Sequence, residues 1–431
     1  MGSISALQVF VAFVALTMIT CCFEWIFRQQ EYYRPVEVRA KEHRAIADFS
    51  FLNAQTLDER LILRSKPNAR LVMAFDIENS FTTSDKHVHQ AFLKKAQDAV
   101  RLVRTEDWVK LGGVTRAILN FCLGYFKDEL PYTPLASVVR LVSFSLILHV
   151  LFGIEPSRVD VDEARKATEA INRLWIQSKN HHSVPSVYDK ILLHNALNKL
   201  LPHESFSTDR PHPLDLIMPA YETLWRVVLL TFVSIASQNR DPDTAEELRE
   251  AIANVPQCFC RDNDAEMRAL AIAKEGLRLY PPTKRIYRAT STVEGESSVV
   301  AADVESCHRD RRVWGPDALQ FRPSRFHAWS CVDPAYVARP LAPSKRLPVS
   351  DVQRLSYFPF GVGKNRCPAE AGFGDRIIAL LVVELTRRFG TRQTGLKIHF
   401  GQVEDQQWFS TTLPSGRSDM EGWILEVTGH N

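Results

Sequence analysis

The sequence lacks an excess of charge of either sign. Its 53 lysines and arginines are matched by 50 aspartates and glutamates, which leaves a formal net charge of +3 on 431 residues. Proteins that bind nucleic acid usually concentrate positive charge on one face. The balance of charges therefore argues against a nucleic-acid partner.

The sequence also lacks an ordered cysteine pattern. Its eight cysteines are scattered, without the spacing of a small disulfide-stabilised domain and without paired C-x-x-C arms for zinc. They are Cys21, Cys22, Cys122, Cys258, Cys260, Cys307, Cys331 and Cys367. We therefore expect the body of the protein to face a reducing compartment, with at most one cysteine in a chemical role.

A long apolar run lies at the N-terminus, where residues 4–23 contain only four polar side chains and no charge. At about 1.5 Å per residue, a helix of this length crosses a hydrocarbon core of about 30 Å. Basic residues follow the run from Arg28 onward and none precedes it, so the charge bias predicts a single-pass anchor in membrane lipid with the body in the cytosol. A cleaved signal peptide is the alternative, although no small-x-small cleavage site follows.

The rest of the chain reads as one mainly α domain with minor β. Neither a repeat nor a linker divides it, so we expect residues 1–27 to form the anchor and residues 28–431 a single domain. Apolar residues recur at helical spacing within 92–103, and 135–152 is apolar nearly all round, as in a buried helix.

Further helices and two groups of strands are indicated in the second half. Asp241-Pro242 is typical of a helix start, another helix capped by Asp262 or Asn263 runs to about Tyr280, and a long one spans 368–389. Short polar–apolar alternation in 283–305 and 395–427 predicts small strands.

One cysteine stands in a position suited to metal binding. Cys367 follows a glycine-containing turn and directly precedes Pro368, the first residue of the predicted helix. Unpaired N–H groups and the partial positive charge of a helix N-terminus stabilise a thiolate, which is a strong ligand for iron. A buried structural cysteine is the alternative, and the helix start alone does not decide between the two.

The residues around Cys367 resemble the heme-binding loop of the cytochrome P450 family, in which Phe, two residues, Gly, three residues, Cys, one residue and Gly or Ala recur. The matching residues are Phe360, Gly363, Cys367 and Ala369. Three further family elements occur in the expected order: a Glu-x-x-Arg helix at 275–278, lead-in segments within 308–318 and a Phe-x-Pro-x-Arg-Phe segment at 321–326. The resemblance covers residues 210–390 and implies a mainly α heme domain, with Cys367 ligating the iron of heme b and Phe360 beside the cofactor.

The resemblance also implies roles for several charged residues. Glu275 and Arg278 share a helix face at a spacing of three, and Arg325 is expected to complete a buried network with them. Arg285 is expected to bind a heme propionate, with Lys284 or Arg288 as alternatives.

The acid and alcohol that this family uses on the oxygen side of the heme correspond to Glu222 and Thr223. A carboxylate and a hydroxyl can relay protons while dioxygen is reduced. Pro219 and Ala220 replace the small residue and the glycine that the family places before this pair. Because proline removes one helical hydrogen bond, Pro219 is expected to open the helix in place of the glycine. A proline at a helix start, with the polar pair facing solvent, is the alternative.

Some positions depart from the family pattern. Asn365 occupies the place, two before the cysteine, where the family usually has Arg or His, so heme binding is expected to involve Asn365 together with Arg366 or Arg285. The family's Trp, with Arg four residues later, is not matched, since Trp108 is followed by Gly112. The chain is also short before Thr223, so we expect part of the small sheet and of the substrate-access elements to be reduced or absent.

The implied activity is a monooxygenase, anchored in the endoplasmic reticulum, that inserts oxygen from O2 into a hydrophobic small molecule. Its electrons would come from NADPH through a membrane-bound flavin reductase, for which Lys364, Arg366 and Arg376 are candidate docking residues. The motifs are closest in style to fungal members of specialised (secondary) metabolism. A reductase-independent isomerase, dehydratase or peroxygenase is the first alternative, and a non-catalytic heme-binding relative is the second.

Overall fold

The computed structural model describes most of the chain, with gaps. The described residues are 13–20, 35–52, 56–105, 108–129, 132–180, 184–206, 212–238, 264–293, 298–329, 349–370, 372–401 and 412–427. Helices predominate and strands are few, which confirms the expected mainly α fold with minor β.

Eight helices of thirteen or more residues make up the first part of the described chain. They are α1 (Val36–Asp48), α2 (Leu57–Phe75), α3 (Lys86–Thr105), α4 (Trp108–Glu129), α5 (Leu135–Phe152), α6 (Val161–Gln177), α7 (Val187–Leu200) and α8 (Pro213–Val233). The predicted helix at 135–152 is confirmed as α5, and Gly153 ends it in the left-handed region with a φ of 66°. This conformation suits glycine because a Cβ would clash there.

The second part alternates helices with short strands. These are α9 (Asp264–Leu279), β2 (Arg285–Ala289), β3 (Val299–Asp303), α10 (Val304–Arg309), α11 (Arg311–Trp314), α12 (Val349–Ser356), α13 (Phe373–Phe389), β4 (Leu396–His399) and β5 (Ile424–Val427), with β1 (Thr133–Pro134) earlier in the chain. β2 and β3 form an antiparallel pair, and β1, β5 and β4 form a three-stranded antiparallel sheet in that order. The strands predicted within 283–305 and 395–427 are thereby confirmed.

Helix α8 lies in the middle of the core, where α5, α9 and α13 pack around it. The contact between α8 and α9 depends on a glycine. A Cβ at Gly276 would lie 2.0 Å from Oγ1 of Thr231, so only glycine lets the two helices approach this closely. The core therefore holds the predicted acid–alcohol helix against the predicted Glu-x-x-Arg helix.

Two described helices are long and apolar enough to cross a membrane. They are Leu135–Phe152 and Pro213–Ala236, and 72% of each apolar stretch is buried inside the protein, as in a core helix. The predicted anchor at 4–23 lies mostly outside the described residues. Of this segment, residues 13–20 are described, and they form an exposed helix.

The predicted helix at 368–389 is wrong at its start. Pro368–Glu370 forms a separate single turn, and α13 begins at Phe373 after Gly372, which has a φ of 105°. The left-handed backbone at Gly372 interrupts the helix that Pro368 would otherwise have opened. The predicted helix at Asp241 and the predicted cap at Asp262 or Asn263 lie outside the described residues.

Candidate active site

The loop that carries Cys367 is closed by its own backbone. The N–H of Cys367 donates to the carbonyl of Phe360 at 2.9 Å, which brings the two ends of the loop together. Gly361 and Gly363 have φ values of 77° and 62°, in the region that other residues rarely adopt. The backbone path of this turn therefore requires both glycines, of which Gly363 belongs to the sequence motif.

Cys367 differs from the other described cysteines in its exposure. Cys122 and Cys307 are buried, and burial raises the pKa of each thiol to about 12. Cys367 is partly exposed. Burial nevertheless raises the pKa of its thiol, and the hydrogen bond from the N–H of Ala369 lowers this pKa by a smaller amount. The N–H group predicted to favour a thiolate is thus present, but it belongs to the short turn that begins at Pro368 and does not outweigh desolvation.

Phe360 is held in place by a close contact with α13. A Cβ at Gly374 would lie 2.6 Å from Cε1 of Phe360 and 3.3 Å from the carbonyl oxygen of Ala369. The phenyl ring therefore packs directly on the backbone of α13. This contact fixes the cysteine loop against the helix that follows it.

The Glu-x-x-Arg pair forms the rigid frame behind this loop. Arg278 donates to both carboxylate oxygens of Glu275, from Nε at 2.7 Å and from Nη2 at 2.8 Å, and both side chains are fully buried. Arg278 also donates to the carbonyls of His308 and Ala318. A buried pair with its remaining donors satisfied is stable only in such a complete arrangement, and the predicted i,i+3 pairing is confirmed.

Arg325 completes this network, as the resemblance implied. Its Nε lies 3.6 Å from Oε1 of Glu275, and its guanidinium donates to the carbonyls of Trp314 and Asp317 at 2.7 Å each. The network therefore joins α9 to the segment after α11.

His308 links the frame to the cysteine loop. The N–H of Phe358 donates to Nε2 of His308 at 3.0 Å, while Nδ1 of His308 lies 3.4 Å from the carbonyl of Leu277. The imidazole stacks on Tyr357 with ring centroids 5.2 Å apart. Complete burial, reinforced by the charge of Arg278, lowers the pKa of His308 to about 3. His308 is therefore neutral and accepts the hydrogen bond that positions the start of the loop.

Asn365 contacts a buried arginine that the sequence did not indicate. Nη1 of Arg64, on α2, lies 3.5 Å from Oδ1 of Asn365, and Nη2 of Arg64 lies 3.2 Å from Oγ of Ser80 and from Nδ1 of His89. Burial, reinforced by Arg60, lowers the pKa of Arg64 to about 10, and burial followed by Arg64 lowers that of His89 to about 4. In the described part of the chain, no carboxylate pairs with Arg64.

Arg288 adds a second buried cation beside Arg64. It donates to the carbonyls of Ala47 and Tyr287 and lies over the ring of Phe49 at 4.4 Å. Burial, reinforced by Arg64, lowers its pKa to about 9. The buried Nδ2 of Asn365 and the Nε atoms of both arginines have no hydrogen-bond partner among the described residues. Two uncompensated cations and an unpaired amide next to the cysteine loop fit the carboxylates of a heme, so the residues present suit that cofactor.

The other predicted cations have partners within the protein. Arg285 pairs with Asp303 across the β2–β3 sheet at 3.3 Å and is more than half exposed. Lys284 lies 3.2 Å from Glu305, and Nε of Arg366 lies 2.7 Å from Glu370. The structure therefore places Asn365 beside a buried cation and leaves Arg285 and Arg366 in partly exposed ion pairs. Their predicted roles toward the cofactor stay predictions.

Glu222 and Thr223 are adjacent on α8 but engage different partners. Glu222 is almost fully buried and pairs with Arg417, which itself donates to Asn172 at 3.2 Å. The Thr223 hydroxyl donates to the carbonyl of Pro219 at 2.8 Å. The carboxylate of the predicted pair is thus neutralised by an arginine from the C-terminal segment. The hydroxyl is bound to the backbone of its own helix.

Pro219 does not leave a carbonyl free in α8. A proline here removes the N–H that would bind the carbonyl of Asp215, and Nδ2 of Asn79 donates to that carbonyl at 3.2 Å instead. The carboxylate of Asp215 accepts the N–H of Glu78 at 2.7 Å. The helical hydrogen bond that Pro219 removes is therefore replaced by one from Asn79, in the loop that follows α2.

Three residues of the site region were not predicted as functional. Arg64 meets Asn365 across 301 positions of sequence, and Arg417 meets Glu222 from the C-terminal segment, so no local pattern indicates either contact. His308 was noted as part of a family segment, but its hydrogen bond to Phe358 follows only from the packed structure.

Known proteins resemble the second half of the chain in sequence. The family model described as Cytochrome P450 matches residues 214–393. Cytochrome P450 71A19 of Arabidopsis thaliana is 28% identical over 165 residues, which are 36% of this chain and 30% of that protein. Cytochrome P450 734A6 of Oryza sativa subsp. japonica is 29% identical over 194 residues, 41% of this chain and 30% of that protein. CYP82D47 of Panax ginseng is 30% identical over 152 residues, 33% of this chain and 37% of that protein. The chain thus spans about a third of these curated relatives.

Solved structures resemble the chain over most of its length. CYP175A1 from Thermus thermophilus superposes with a TM-score of 0.53 at 19% identity, covering 88% of this chain and 86% of that one. Cytochrome P450 OleT in complex with arachidonic acid gives a TM-score of 0.52 at 11% identity, covering 90% and 88%. At these identities the likeness concerns the fold. The chain is therefore similar to the cytochrome P450 family in sequence over residues 214–393, and similar in fold over most of its length.

Proposed function

We propose that the protein is a heme-thiolate monooxygenase that inserts one oxygen atom from O2 into a hydrophobic small molecule. The observation that carries this proposal is the partly exposed Cys367 on a loop fixed by the Glu275–Arg278 frame, beside buried cations that lack carboxylate partners. Electrons from NADPH would arrive through a flavin reductase.

The residues of the cysteine loop would bind and orient the cofactor. Cys367 would ligate the iron of heme b, and Phe360 would lie beside the ring. Arg64 and Arg288, with Nδ2 of Asn365, would pair with the heme carboxylates, because these are the buried donors in need of an anion. The bound heme would supply the activation of dioxygen, and a thiolate ligand favours O–O cleavage.

The hydroxyl of Thr223 would hold and pass a proton near the oxygen, in the role predicted from its place in the motif. Its hydrogen bond to the carbonyl of Pro219 orients the hydroxyl along α8 and leaves its lone pairs as acceptors. Glu222 would keep a negative charge beside Thr223 only while Arg417 compensates it, since an unpaired buried carboxylate is costly. The pair would therefore act with Arg417 as a third member.

Replacing Thr223 with alanine tests the proton-relay role. We expect oxygen consumption to continue while the yield of product per oxygen falls severalfold, because the protons would no longer be delivered in order. Thr115→Ala is a matched control, since Thr115 makes the same helical hydroxyl bond, to Leu111 at 2.8 Å on α4. Equal coupling in the two variants would count against the role of Thr223.

Replacing Arg64 with methionine tests the proposed contact with the heme carboxylates. Loss of one buried cationic partner should speed transfer of heme to apomyoglobin about tenfold. Arg101→Met is the control, because Arg101 is largely exposed and pairs with Asp98 on the surface of α3. Heme release at the wild-type rate in Arg64→Met would remove Arg64 from the proposed set.

The face for the reductase would centre on Lys364. Of the three candidate docking residues, Arg366 pairs with Glu370 at 2.7 Å and Arg376 with Glu266 at 2.6 Å. Lys364 is exposed and has no ion pair among the described residues. An acidic partner would therefore meet Lys364 first.

We further propose that the protein is held at the endoplasmic reticulum membrane by residues 1–27, with residues 28–431 in the cytosol as the catalytic domain, and that it acts in specialised metabolism. Detection of the chain in the carbonate-resistant membrane fraction, and loss of that behaviour when residues 1–27 are deleted, would support the anchor. A cleaved N-terminus on the mature chain would instead identify a signal peptide.

A second candidate is a heme-thiolate isomerase, dehydratase or peroxygenase that needs no reductase. The pairing of Glu222 with Arg417 favours it, because a neutralised carboxylate is a poorer proton relay than a free one. Product formation without reductase and NADPH, with or without added peroxide, would support this candidate. Strict dependence on NADPH and reductase would support the monooxygenase.

A further inference from the structure

Five cations converge on one region between α2, the end of α6, α8 and the C-terminal segment. They are Arg70, Lys179, Arg226, Lys284 and Arg417, and partial burial followed by the charges of its neighbours lowers the pKa of Lys179 to about 8. We refer to them as the basic cluster.

The geometry of the basic cluster is fixed by aromatic rings and backbone carbonyls. The guanidinium carbons of Arg70 and Arg417 lie 5.1 and 4.8 Å from the ring centroid of Trp175, so one indole is shared by two cations. Nη2 of Arg226 donates to the carbonyl of Ser415 at 3.2 Å, two residues before Arg417. Arg226 therefore lies beside Arg417.

In the described part of the chain, carboxylates pair with two of the five cations of the basic cluster. Glu222 pairs with Arg417, and Glu305 is shared by Lys284 and Arg309. Among the described residues, no carboxylate lies within ion-pair distance of Arg70, Lys179 or Arg226. Arg226 is only 9% exposed, and its Nε has no hydrogen-bond partner in the described chain. A buried cation without a counter-ion is costly unless an anion comes from outside the chain.

The basic cluster adjoins the proposed chemistry. Arg226 follows Thr223 by three residues on α8, and residues at this spacing lie one turn apart on the same face of a helix. Lys179 is exposed and Lys284 is partly exposed, whereas Arg226 and Arg417 are buried. The positive charge thus leads from the surface toward the residue assigned to the proton relay.

We propose that the basic cluster recognises the carboxylate of an anionic substrate. The planar guanidinium of Arg226 suits bidentate pairing with a carboxylate, and Lys179 would draw the anion in from the surface. This inference rests on the proposed function, since it names the substrate class for the same site. The hydrophobic substrate would therefore be an organic acid rather than a neutral molecule.

The experiment compares two ligands of the same shape, naphthaleneacetate and its neutral amide naphthaleneacetamide, on the full-length heme-loaded protein by equilibrium dialysis. We expect the acid to bind about tenfold more tightly than the amide. Lys179→Ala should reduce this preference severalfold, while Lys110→Ala, which removes an exposed lysine of α4 outside the basic cluster, should not. Arg226→Met should abolish the preference.

Equal affinity for acid and amide would overturn the proposal, as would an undiminished preference in both Lys179→Ala and Arg226→Met. If Arg226→Met does not fold, Lys179→Ala decides alone, because Lys179 lies at the surface. The heme spectrum of the same preparation separates the two proposals. A charge preference without a thiolate-ligated heme contradicts only the proposed function, and a thiolate-ligated heme without the preference contradicts only the substrate class.

Discussion

Replacing His308 with glutamine should make the protein less sensitive to acid. His308 is fully buried, and burial together with the charge of Arg278 lowers its pKa from 6.5 to about 3. Below about pH 6.5 the unfolded chain therefore binds a proton at His308. In the folded protein His308 stays neutral until the pH falls to about 3. Folding stability from this group is fully present above pH 6.5 and is lost as the pH falls toward 3.

The size of the effect follows from the pKa difference. Each pH unit below 6.5 costs about 1.4 kcal/mol, so His308 alone should remove about 2 kcal/mol of stability between pH 7 and pH 5. Glutamine cannot take up this proton, yet its side-chain oxygen can still accept the N–H of Phe358. At pH 7 the variant should be about 1 kcal/mol less stable than the wild type because its packing is altered. As the pH is lowered, its free energy of unfolding should then decrease less steeply than that of the wild type.

Urea unfolding at pH 7 and pH 5, followed by tryptophan fluorescence, measures this difference. His87→Gln serves as the control, because His87 is exposed on α3 and should leave the slope unchanged. If wild type and His308→Gln lose the same free energy of unfolding between the two pH values, His308 does not remain neutral in the folded protein, and the reasoning about its hydrogen bond to the cysteine loop is refuted.

Two further substitutions test the frame and the loop. Arg278→Met should destabilise the protein by about 3–5 kcal/mol, because it leaves Glu275 charged and buried. In a double-mutant cycle measured by urea unfolding, Arg278→Met combined with Glu275→Met should cost less stability than the sum of the two single changes. Gly374→Ala should lower the free energy of unfolding by about 1–3 kcal/mol in the same assay, since its Cβ would lie 2.6 Å from Phe360. The control Gly124→Ala has open space at its Cβ, so it should be neutral or stabilise the protein by up to about 1 kcal/mol. A Gly374→Ala protein as stable as Gly124→Ala would contradict the close packing of the loop on its helix.

The sequence predicted those parts of the molecule whose signals are local. The apolar helix at 135–152 and the i,i+3 pair of Glu275 and Arg278 follow from periodicity and spacing, and both are present. The start of α13 was misplaced because Pro368 is a good first residue of a helix, while the left-handed Gly372 that breaks it resembles any other glycine in the sequence.

Contacts between distant segments were beyond the reach of sequence patterns. Asn365 was recognised as a departure from the family motif, but the arginine that contacts it is Arg64, on a helix near the start of the body. Glu222 was recognised from its place beside Thr223, but nothing near residue 417 indicated that an arginine would pair with it. Such contacts depend on how the helices pack, which only the folded structure determines.

The most direct test of the central claim is the difference spectrum of the reduced protein with carbon monoxide, recorded for the wild type, Cys367→Ala and Cys307→Ala. Ligation by Cys367 predicts a strongly red-shifted Soret band in the wild type and in Cys307→Ala, whose buried thiol packs with Phe358 and Val362, and loss of that band in Cys367→Ala. Absence of heme, or a band typical of a histidine-ligated heme in all three proteins, would contradict the assignment of Cys367 as the axial ligand.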